Sequence, residues 1–582
     1  MFPIPKLNSV LDLYYGKDPY LDAWLLHFMT ENNIEYLANP YENASPEQMR
    51  FMVDLDENQV FVPCSDSMLR ILLRSQQDDE LKKEYRNLWK NLVRLIYHIV
   101  KDDYSRRKIV TLCKHKFQKA YRSPFIIPSR LNKRMLTIIL TQSAQIDPYS
   151  KRKSKYNERA LSFLSSQEFL DFVGVCPIDE LECKNIQELR NKLNLIELKR
   201  LFCLSLYEDI WKKNDFSNVN SIFNQMQGFE GILEKGLFPK GQTEPELTIL
   251  YLPNSSGGLV FDVLIAKRLI KMGHRVILAL KEGFYFDYPT FWDVDNCEVL
   301  QHLLEDARFI EDKEISKKEL LKHLNEARLE VISDGTRERL NLYRTSVTFA
   351  RAWKESDLII AKGNGNYRRL ILNSHFFTRD IIAIYRDDEG IVSFSFKEKS
   401  PRVRKITEKE IVAKAKSIIE EMKKAKARGQ KVMFYSAIVG SIPGQTKMAI
   451  RVLNTFVNYL REKLDSTYII NPAEHFEPGM DGDDLMYMWE IVQRSGLIDI
   501  WRFQTVSDIE KSFELMGMKV PPIWAGKDAT FSTGCTKEMK IALEEQKKHP
   551  EMQIIGPDPE KFFRRREYGV GKYFDASIDR LK

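Results

Sequence analysis

The sequence lacks the features of a metal-thiolate protein, a disulfide-rich protein or a membrane protein. Its seven cysteines are scattered over 582 residues without a C-x-x-C pair, which excludes a zinc ribbon, an iron–sulfur ligand set and a disulfide framework. No run of 18 apolar residues occurs, and the amino terminus lacks a basic segment followed by an apolar core. We therefore expect a cytoplasmic protein without a membrane partner.

A strong charge of either sign is also absent. The chain carries 89 basic and 82 acidic residues, and its net charge of +7 is spread over the whole length. Such a small excess is not the electrostatic footprint of a nucleic-acid-binding protein, so we expect no nucleic acid partner, whereas anionic small molecules fit this charge. The hydrophobic fraction of 43% is that of an ordinary globular protein, and the length predicts about two to four domains. Composition predicts no oligomeric state.

No catalytic triad and no complete Walker motif is present. The nine histidines are isolated, and only His475 lies beside carboxylates after a predicted strand. The loop from Gly440 to Lys447 occupies the place of a P-loop, but it lacks the order Gly-Lys-Ser/Thr. A P-loop nucleoside triphosphatase and a hydrolase with a catalytic triad are therefore not expected. The start of the helix after this loop is nevertheless suited to a phosphate.

Hydrophobic spacing divides the chain into three regions. In residues 1–240 apolar residues recur every three or four positions, as in 81–100, which predicts an all-helical domain. In residues 241–405 short apolar runs alternate with helices, which predicts a Rossmann-like, mainly parallel α/β sheet. After a charged helix at 407–428, residues 406–582 form a second α/β module. The predicted strands lie at 247–252, 275–280, 329–332, 357–361, 380–384, 431–439 and 466–470.

Polar side chains follow four successive strands of the central region. Asn254 and Ser255 follow the first strand, Asp287 the second, Asp334 the third and Lys362 the fourth. Ligands of a doubly wound sheet gather at the carboxyl ends of its strands, where these side chains would meet. Independent turns and helix caps are also rich in Asp, Asn and Ser, so ordinary connections remain the alternative at this point.

The loop after the fourth strand is suited to a phosphate. Lys362 supplies a compact positive charge, and the glycines at 363 and 365 let the backbone approach a ligand closely. The first loop, Pro253 to Gly258, opens a helix whose unpaired N–H groups can also bind an anion.

Three segments resemble the damage-control metal-dependent phosphatase family, long known as domain of unknown function family 89. They are Tyr251 to Asp262, Ser356 to Tyr367, and the Asp-Pro-Tyr…Lys…Asn pattern from Asp147 to Asn157. The resemblance covers roughly residues 140–390 and leaves the C-terminal module outside. It implies a helical domain beside a Rossmann-like domain, and a Mn²⁺ or Mg²⁺ ion that assists hydrolysis of small phosphorylated metabolites.

The resemblance also implies roles for individual residues. The catalytic positions fall on Asp287 and Lys362, with Asp357 before the lysine, and the metal ligands on Asn254 and Asp287. Asp334 is a third expected metal ligand because it follows the neighbouring strand, not because the resemblance implies it. The phosphate-binding positions fall on the following residues: Ser255, Gly257, Gly258, Lys362, Gly363 and Asn366.

The chain departs from the family pattern in the first loop. Pro253 stands where the family has an Asp, and Gly258 stands where it has an acidic residue. A neutral amide binds Mg²⁺ or Mn²⁺ less strongly than a carboxylate does, so the metal site is expected to be weaker while the phosphate-binding part is retained.

Three functional hypotheses follow. The first is a metal-dependent phosphatase-like protein that acts on a small phosphorylated metabolite with a diverged metal site. The second is a non-catalytic sensor or scaffold that binds such a metabolite, with the C-terminal module mediating an interaction. The third places the chemistry in the C-terminal module, around His475 and the loop at 440–447, although the acidic segment 474–484 is also the pattern of a helix cap.

Overall fold

The structure, a computed structural model, describes the following residues: 7–34, 46–56, 58–75, 79–174, 182–213, 215, 219–226, 228–238, 246–442 and 444–567. The chain divides into two compact units, Met1–Val403 and Arg404–Lys582. The helical region and the central sheet both lie in the first unit. The expected boundary near residue 240 falls outside the described residues.

The first 240 residues are dominated by helices, as their spacing predicts. The predicted helix at 81–100 is a 20-residue helix that buries Leu81, Tyr85, Leu92, Leu95 and Ile96 on one face. The described helices of this region are α1 (Pro19–Asn32), α2 (Pro46–Met49), α3 (Asp66–Leu73), α4 (Glu80–Ile99), α5 (Asp103–Arg122), α6 (Pro128–Ser143), α7 (Ser150–Leu164), α8 (Gln167–Gly174), α9 (Ile186–Leu206), α10 (Glu208–Lys213), α11 (Val219–Asn224) and α12 (Phe229–Leu237).

A seven-stranded sheet follows, and its strands alternate with helices. The strands of the first unit are β1 (Val53–Asp54), β2 (Thr248–Leu252), β3 (Arg275–Leu280), β4 (Arg308–Ile310), β5 (Leu329–Ser333), β6 (Leu358–Lys362), β7 (Phe376–Phe377), β8 (Asp380–Arg386) and β9 (Val392–Lys397). Its later helices are α13 (Gly258–Lys271), α14 (Glu298–Leu303), α15 (Lys317–Glu326), α16 (Val347–Glu355) and α17 (Asn364–Leu370).

The order of the central sheet is β4-β5-β3-β2-β6-β8-β9. All of its neighbouring strands are parallel except the pair β8 and β9, and β1 pairs with β7 separately. Helices cover both faces, because the apolar residues of β2 and β6 contribute to two different core clusters. The predicted Rossmann-like, mainly parallel α/β fold is confirmed.

The second unit contains a smaller sheet with the order β11-β10-β12-β13, in which all strands are parallel. Its elements are α18 (Glu408–Ala427), β10 (Lys431–Ser436), α19 (Thr446–Lys463), β11 (Thr467–Ile470), α20 (Gly482–Gln493), β12 (Ile500–Phe503), α21 (Val506–Leu515), α22 (Thr533–Lys548), β13 (Gln553–Ile555) and α23 (Pro559–Glu567). The 3-10 helices of the two units are Val10–Asp12, Phe291–Asn296, Leu342–Arg344, Pro472–His475, Pro522–Trp524 and Ala529–Phe531.

The acidic segment of the second unit is a helix cap. The Asp481 carboxylate accepts hydrogen bonds from the backbone N–H groups of Asp483 and Asp484 at the start of α20. Glu474 pairs with Arg461, and the His475 ring packs edge-on against Trp489. These contacts are structural, so they give the third hypothesis no support.

None of the described helices combines the length and the apolar character that a bilayer crossing requires.

Candidate functional site

The carboxyl ends of three neighbouring strands define the candidate site. β2 lies between β3 and β6, and all three run in the same direction. The segments that follow them, 253–257, 281–290 and 363–365, therefore leave the sheet at one edge, as is typical of ligand sites in open α/β sheets.

Lys362 ends β6 and is fully buried in an ion pair with Asp262 of α13. Its Nζ lies 2.7 Å from Oδ1 and 2.6 Å from Oδ2 of this carboxylate, and neither side chain has exposed surface. The Tyr251 hydroxyl donates to the same Asp262 Oδ1 at 2.8 Å. Burial raises the pKa of Asp262 and lowers the pKa of Lys362, and the attraction between the two charges opposes both shifts.

The ion pair changes the role expected of Lys362. An ammonium group has three N–H donors, and two of them are directed at Asp262. The Nζ still borders the first loop, because a Cβ atom added to Gly258 would lie 3.2 Å from it. Lys362 therefore borders the site with its charge neutralised by Asp262, and this charge is not freely available to a phosphate.

The first loop is fixed by partners from two other segments. The Gly257 N–H donates to Asn157 Oδ1 of α7 at 2.6 Å, and the Ser256 N–H donates to the Asp287 carbonyl at 2.7 Å. Gly257 has φ of +80°, and a Cβ atom there would lie 2.3 Å from the Trp211 ring. Only glycine fits this position. Two N–H groups that were expected to bind an anion are thus already used within the protein.

The turn after Lys362 packs against the first loop. Gly363 has φ of +91°, and a Cβ atom at this position would approach the Asn254 Nδ2 to 2.7 Å. The Asn366 Nδ2 donates to the Lys362 carbonyl at 2.9 Å. The missing Cβ atom at Gly363 therefore leaves room for the Asn254 side chain, and the hydrogen bond from the Asn366 amide stabilises the turn.

Four buried oxygens around this junction have no hydrogen-bond partner. They are Asn254 Oδ1, Ser255 Oγ, Ser256 Oγ and Asp287 Oδ1. More than nine in ten buried polar groups of native proteins are hydrogen-bonded, because a buried polar atom without a partner costs about 1–3 kcal/mol. Four such atoms on two adjoining segments indicate a place for a polar ligand.

Asp287 supplies the carboxylate of this group. Its Oδ2 lies 3.0 Å from Arg152 Nη2 of α7, while Oδ1 is unpartnered. Burial raises the pKa of Asp287, and the nearby Arg152 opposes that rise. One oxygen is thus paired with a cation and the other remains open to a ligand.

The Asp147 to Asn157 segment lies against the site through α7. The buried Lys153 Nζ contacts Asp147 Oδ2 at 2.5 Å and Asp293 Oδ2 at 3.2 Å. Asp293 in turn accepts hydrogen bonds from the backbone and hydroxyl of Thr290. This network joins the helical region to the segment after β3, and therefore fixes the segment that carries Asp287.

Two predicted site residues do not belong to this group. Asp334 accepts from Lys281 Nζ at 2.6 Å and from the Thr336 N–H at 2.7 Å, so both of its oxygens are occupied. Asp357 precedes β6 and accepts from the Thr248 N–H at the first residue of β2, which is the opposite edge of the sheet. The structure therefore corrects the metal role of Asp334 and the catalytic role of Asp357.

The comparisons with known proteins agree with these segments. Residues 200–427 match the family model of the damage-control phosphatase ARMT1-like domain. This stretch is similar to a damage-control phosphatase domain. A crystal structure of a DUF89 family protein from Pyrococcus horikoshii is similar, with 18% identity and a TM-score of 0.37, over 53% of this chain and 96% of that chain. No curated protein matches the chain.

The damage-control phosphatase family is generally metal-dependent, and the candidate site offers only part of a metal-ligand set. Among the described residues no group of three His, Cys, Asp or Glu side chains is arranged to hold a metal ion. Asn254 Oδ1 and Asp287 Oδ1 are the unpartnered amide and carboxylate oxygens. Mg²⁺ is commonly held by one or two carboxylates together with waters and substrate phosphates, and this pair fits such a partial set.

Four residues that the sequence interpretation did not assign contribute to the candidate site: Arg152, Asn157, Asp262 and Asp293. Asp262 carried a signal, because it is a lone acid inside the apolar run of α13, and a buried acid requires a partner. Arg152 and Asn157 belong to the matched segment in the helical region. Asp293 carried no local signal beyond a helix cap.

Proposed function

We propose that the protein is a damage-control phosphatase-type protein that acts on the phosphomonoester of a small metabolite with the help of a divalent cation. The observation that carries this proposal is the set of four buried, unpartnered oxygens on the segments after β2 and β3. The matched family domain, which covers the same segments, supports it independently.

In this proposal, the residues have distinct tasks. Asn254 Oδ1 and Asp287 Oδ1 hold the cation, and the hydroxyls of Ser255 and Ser256 donate to the phosphate. When bound, the cation supplies charge neutralisation at the phosphate and a bound water of lowered pKa. Arg152 orients Asp287 through its other oxygen, so that Oδ1 is presented to the site.

A second function, binding of the phosphate without hydrolysis, is favoured by one observation. A Cβ atom at Gly258 would lie 2.9 Å from the Ser205 carbonyl and 2.7 Å from Ser255 Oγ. The acidic side chain that the family resemblance implies at this position therefore has no room here. With Asp287 as the one carboxylate, the cation would be held weakly and could serve binding alone.

Hydrolysis and ligand binding, measured on the full chain, separate the two functions. Hydrolysis of p-nitrophenyl phosphate and glucose 1-phosphate is measured with and without Mn²⁺, for the native sequence, Asp287→Asn and the control Asp295→Asn. Asp295 is an exposed carboxylate close in sequence. The phosphatase proposal expects Mn²⁺-dependent turnover that falls by about 100-fold or more in Asp287→Asn and persists in the control.

Thermal unfolding of the same three proteins provides the second measurement. If turnover is absent but glucose 1-phosphate with Mn²⁺ raises the unfolding temperature, and Asp287→Asn abolishes that rise, the binding function is supported. If Asp287→Asn changes neither turnover nor the ligand-dependent rise, the site is not where the phosphate is handled and both functions are refuted.

A further inference from the structure

A cluster of cationic side chains lies beside the candidate site. Its members come from α6, from the segment after β5 and from α17, and we call it the arginine cluster. It consists of Arg130, Lys133, Arg337, Arg339, Arg368 and Arg369.

Direct contacts hold the elements of the arginine cluster together. Arg130 Nη1 lies 2.6 Å from Glu338 Oε1, which joins α6 to the segment after β5. Arg369 Nη2 lies 2.5 Å from Ser129 Oγ, which joins α17 to α6. Burial lowers the pKa of Lys133, the like charges of Arg130 and Arg337 lower it further, and Glu338 opposes the shift.

Most of these charges form no close ion pair, although Glu84 acts on Arg339 and Arg368, and Glu338 acts on Lys133 and Arg369, at longer range. Arg130 is paired with Glu338, but within the described ranges no carboxylate oxygen lies within 4 Å of the side-chain nitrogens of the other five. Arg369 is 8% exposed, and burial lowers its pKa. A desolvated cation without an anionic partner is costly, so the cluster is a place where an anion would be strongly stabilising.

Arg339 lies at the surface beside two tyrosines. Its side chain is exposed to solvent, and Tyr285, Tyr288 and Glu84 act on its charge from the protein side. Arg339 donates a hydrogen bond to the Tyr285 hydroxyl oxygen, and the rings of Tyr285 and Tyr288 lie 5.4 Å apart. The two tyrosines therefore hold the guanidinium group of Arg339 in place, and the group remains accessible to a small ligand.

The arginine cluster is continuous with the candidate site. Tyr288 directly follows Asp287, and its hydroxyl lies 2.9 Å from the position of a Cβ atom at Gly365. Arg339 Cδ lies 4.0 Å from the same position. The turn after Lys362 thus has the unpartnered oxygens of Asn254 and Asp287 on one side and the arginine cluster on the other.

We infer that the arginine cluster binds a second phosphate group of the substrate, so that the substrate class is small metabolites with two phosphate groups. This inference rests on the proposed function, which assigns the first phosphate to Asn254 and Asp287. Arginine matches a phosphate with two parallel N–H donors. Six cations face two acids in this cluster, Glu338 and Glu84. The remaining positive charge favours a dianionic phosphate over a carboxylate, because a carboxylate carries a single negative charge.

Calorimetric titration of the full chain tests the inference with matched ligands. These are glucose 1-phosphate, glucose 1,6-bisphosphate and 6-phosphogluconate, each in the presence of Mn²⁺. The variants are Arg339→Gln, Arg368→Gln and their combination, which have exposed side chains at the changed positions. Arg122→Gln, an exposed arginine of α5, is the control.

We expect the bisphosphate to bind at least about 10-fold more tightly than the monophosphate, because its second phosphate accepts charge-assisted hydrogen bonds from the arginines. The double variant should lose this preference while its affinity for glucose 1-phosphate stays unchanged, and the control should keep both. Equal affinities for the two phosphates in the native protein, or a preference that survives in the double variant, would overturn the inference. Tighter binding of 6-phosphogluconate than of the bisphosphate would overturn it in favour of a carboxylate.

The inference and the proposed function fail in different ways. If monophosphate binding depends on Asp287 and the bisphosphate binds no more tightly, the inference fails alone. If the bisphosphate binds through Arg339 and Arg368 but Asp287→Asn has no effect on any ligand, the proposed function fails and the anion site stands.

Discussion

The buried pair of Lys362 and Asp262 makes a quantitative prediction about stability. Lys362→Met removes the cation and leaves the Asp262 carboxylate without exposed surface and with one remaining bond, from Tyr251. Breaking a buried ion pair by removing one partner costs about 3–5 kcal/mol. We therefore expect the free energy of unfolding of the first unit to fall by about this amount at pH 8.

The other variants of this network should follow a definite order. Tyr251→Phe removes one bond to a charged acceptor and should cost about 1.5–3 kcal/mol. The double variant Lys362→Met with Asp262→Leu should cost less than Lys362→Met alone, because it leaves no unpaired charge. It still leaves the Tyr251 hydroxyl without an acceptor, so we do not expect full recovery.

The cost of Lys362→Met should also depend on pH. Without the lysine, burial raises the pKa of Asp262 above that of the unfolded chain, where the ordinary value is 3.8. A group with a raised pKa in the folded state contributes stability at low pH and loses it as pH rises. The deficit of the variant relative to the native protein should therefore be smaller at pH 5 than at pH 8.

Urea unfolding, monitored by hydrogen exchange in peptides from β2 and β6, measures these differences in the free energy of unfolding of the first unit. The refuting result is a cost below about 1 kcal/mol for Lys362→Met at pH 8, since a buried pair cannot be broken so cheaply. That outcome would mean that Lys362 is free to hold a phosphate directly. Loss of activity in a Lys362 variant is informative only after this measurement.

Three further predictions follow from single contacts. Gly258→Ala should destabilise the first unit by about 1–3 kcal/mol, because its Cβ atom would be forced against the Ser205 carbonyl. Asn157→Ala should cost about 1–3 kcal/mol and weaken Mn²⁺-dependent phosphate binding, because the buried Gly257 N–H loses its acceptor. Burial raises the pKa of Glu538 to about 7 from its ordinary 4.5. The second unit should therefore lose about 3 kcal/mol of stability between about pH 4.5 and pH 7, and Glu538→Gln should abolish that slope.

Each of these predictions has a contrary outcome. Urea midpoints measured at pH 8 that match the native protein would contradict the first two, and unchanged calorimetric affinity for glucose 1-phosphate would contradict the binding effect of Asn157→Ala. For Glu538, the test is urea unfolding at several pH values read by hydrogen exchange in peptides from α22. If the stability of the Glu538→Gln variant depends on pH as steeply as that of the native protein, another group must titrate.

The strands of the central sheet could be predicted from sequence because their signal is local. β2, β3, β5, β6 and β8 are short apolar runs that end in polar residues, and they lie within a residue or two of the predicted positions. The short strand β4 was not predicted, because three residues give too little periodicity. The edge strand β9 was not predicted either. It alternates polar and apolar residues and pairs in the antiparallel direction, unlike the other strands of this sheet.

Strand order alone brings some of the expected site residues to the same end of the sheet, although they are far apart in sequence. Asn254, Asp287 and Lys362 follow three adjacent parallel strands, so their convergence is a consequence of topology. Asp357 was misassigned because it is close to Lys362 in sequence. A strand rises by about 3.3 Å per residue, so the five residues of β6 separate the two side chains by about 15 Å.

Contacts between distant segments could not be derived from one sequence. Asp262 and Lys362 are 100 residues apart, as are Asn157 and Gly257. Each of these polar side chains has an ordinary local explanation as part of a helix or turn. What fixes their role is the burial that they share, and burial is a property of the packed fold.

The packing around Gly258 explains why an acidic residue cannot simply be restored at this position of the first loop. A side chain at 258 would meet the Ser205 carbonyl and Ser255 Oγ, and it would lie 3.2 Å from Lys362 Nζ. The neighbouring Gly257 is closed by the Trp211 ring. The space that a second carboxylate needs is therefore filled from the helical region. Because Asp262 already neutralises the lysine, an acid at 258 would also add an unbalanced negative charge to a buried pair. The absence of that acid is thus consistent with the pairing of Lys362 and Asp262. In the proposed function, the cation would then depend on Asp287, Asn254 and the phosphate itself.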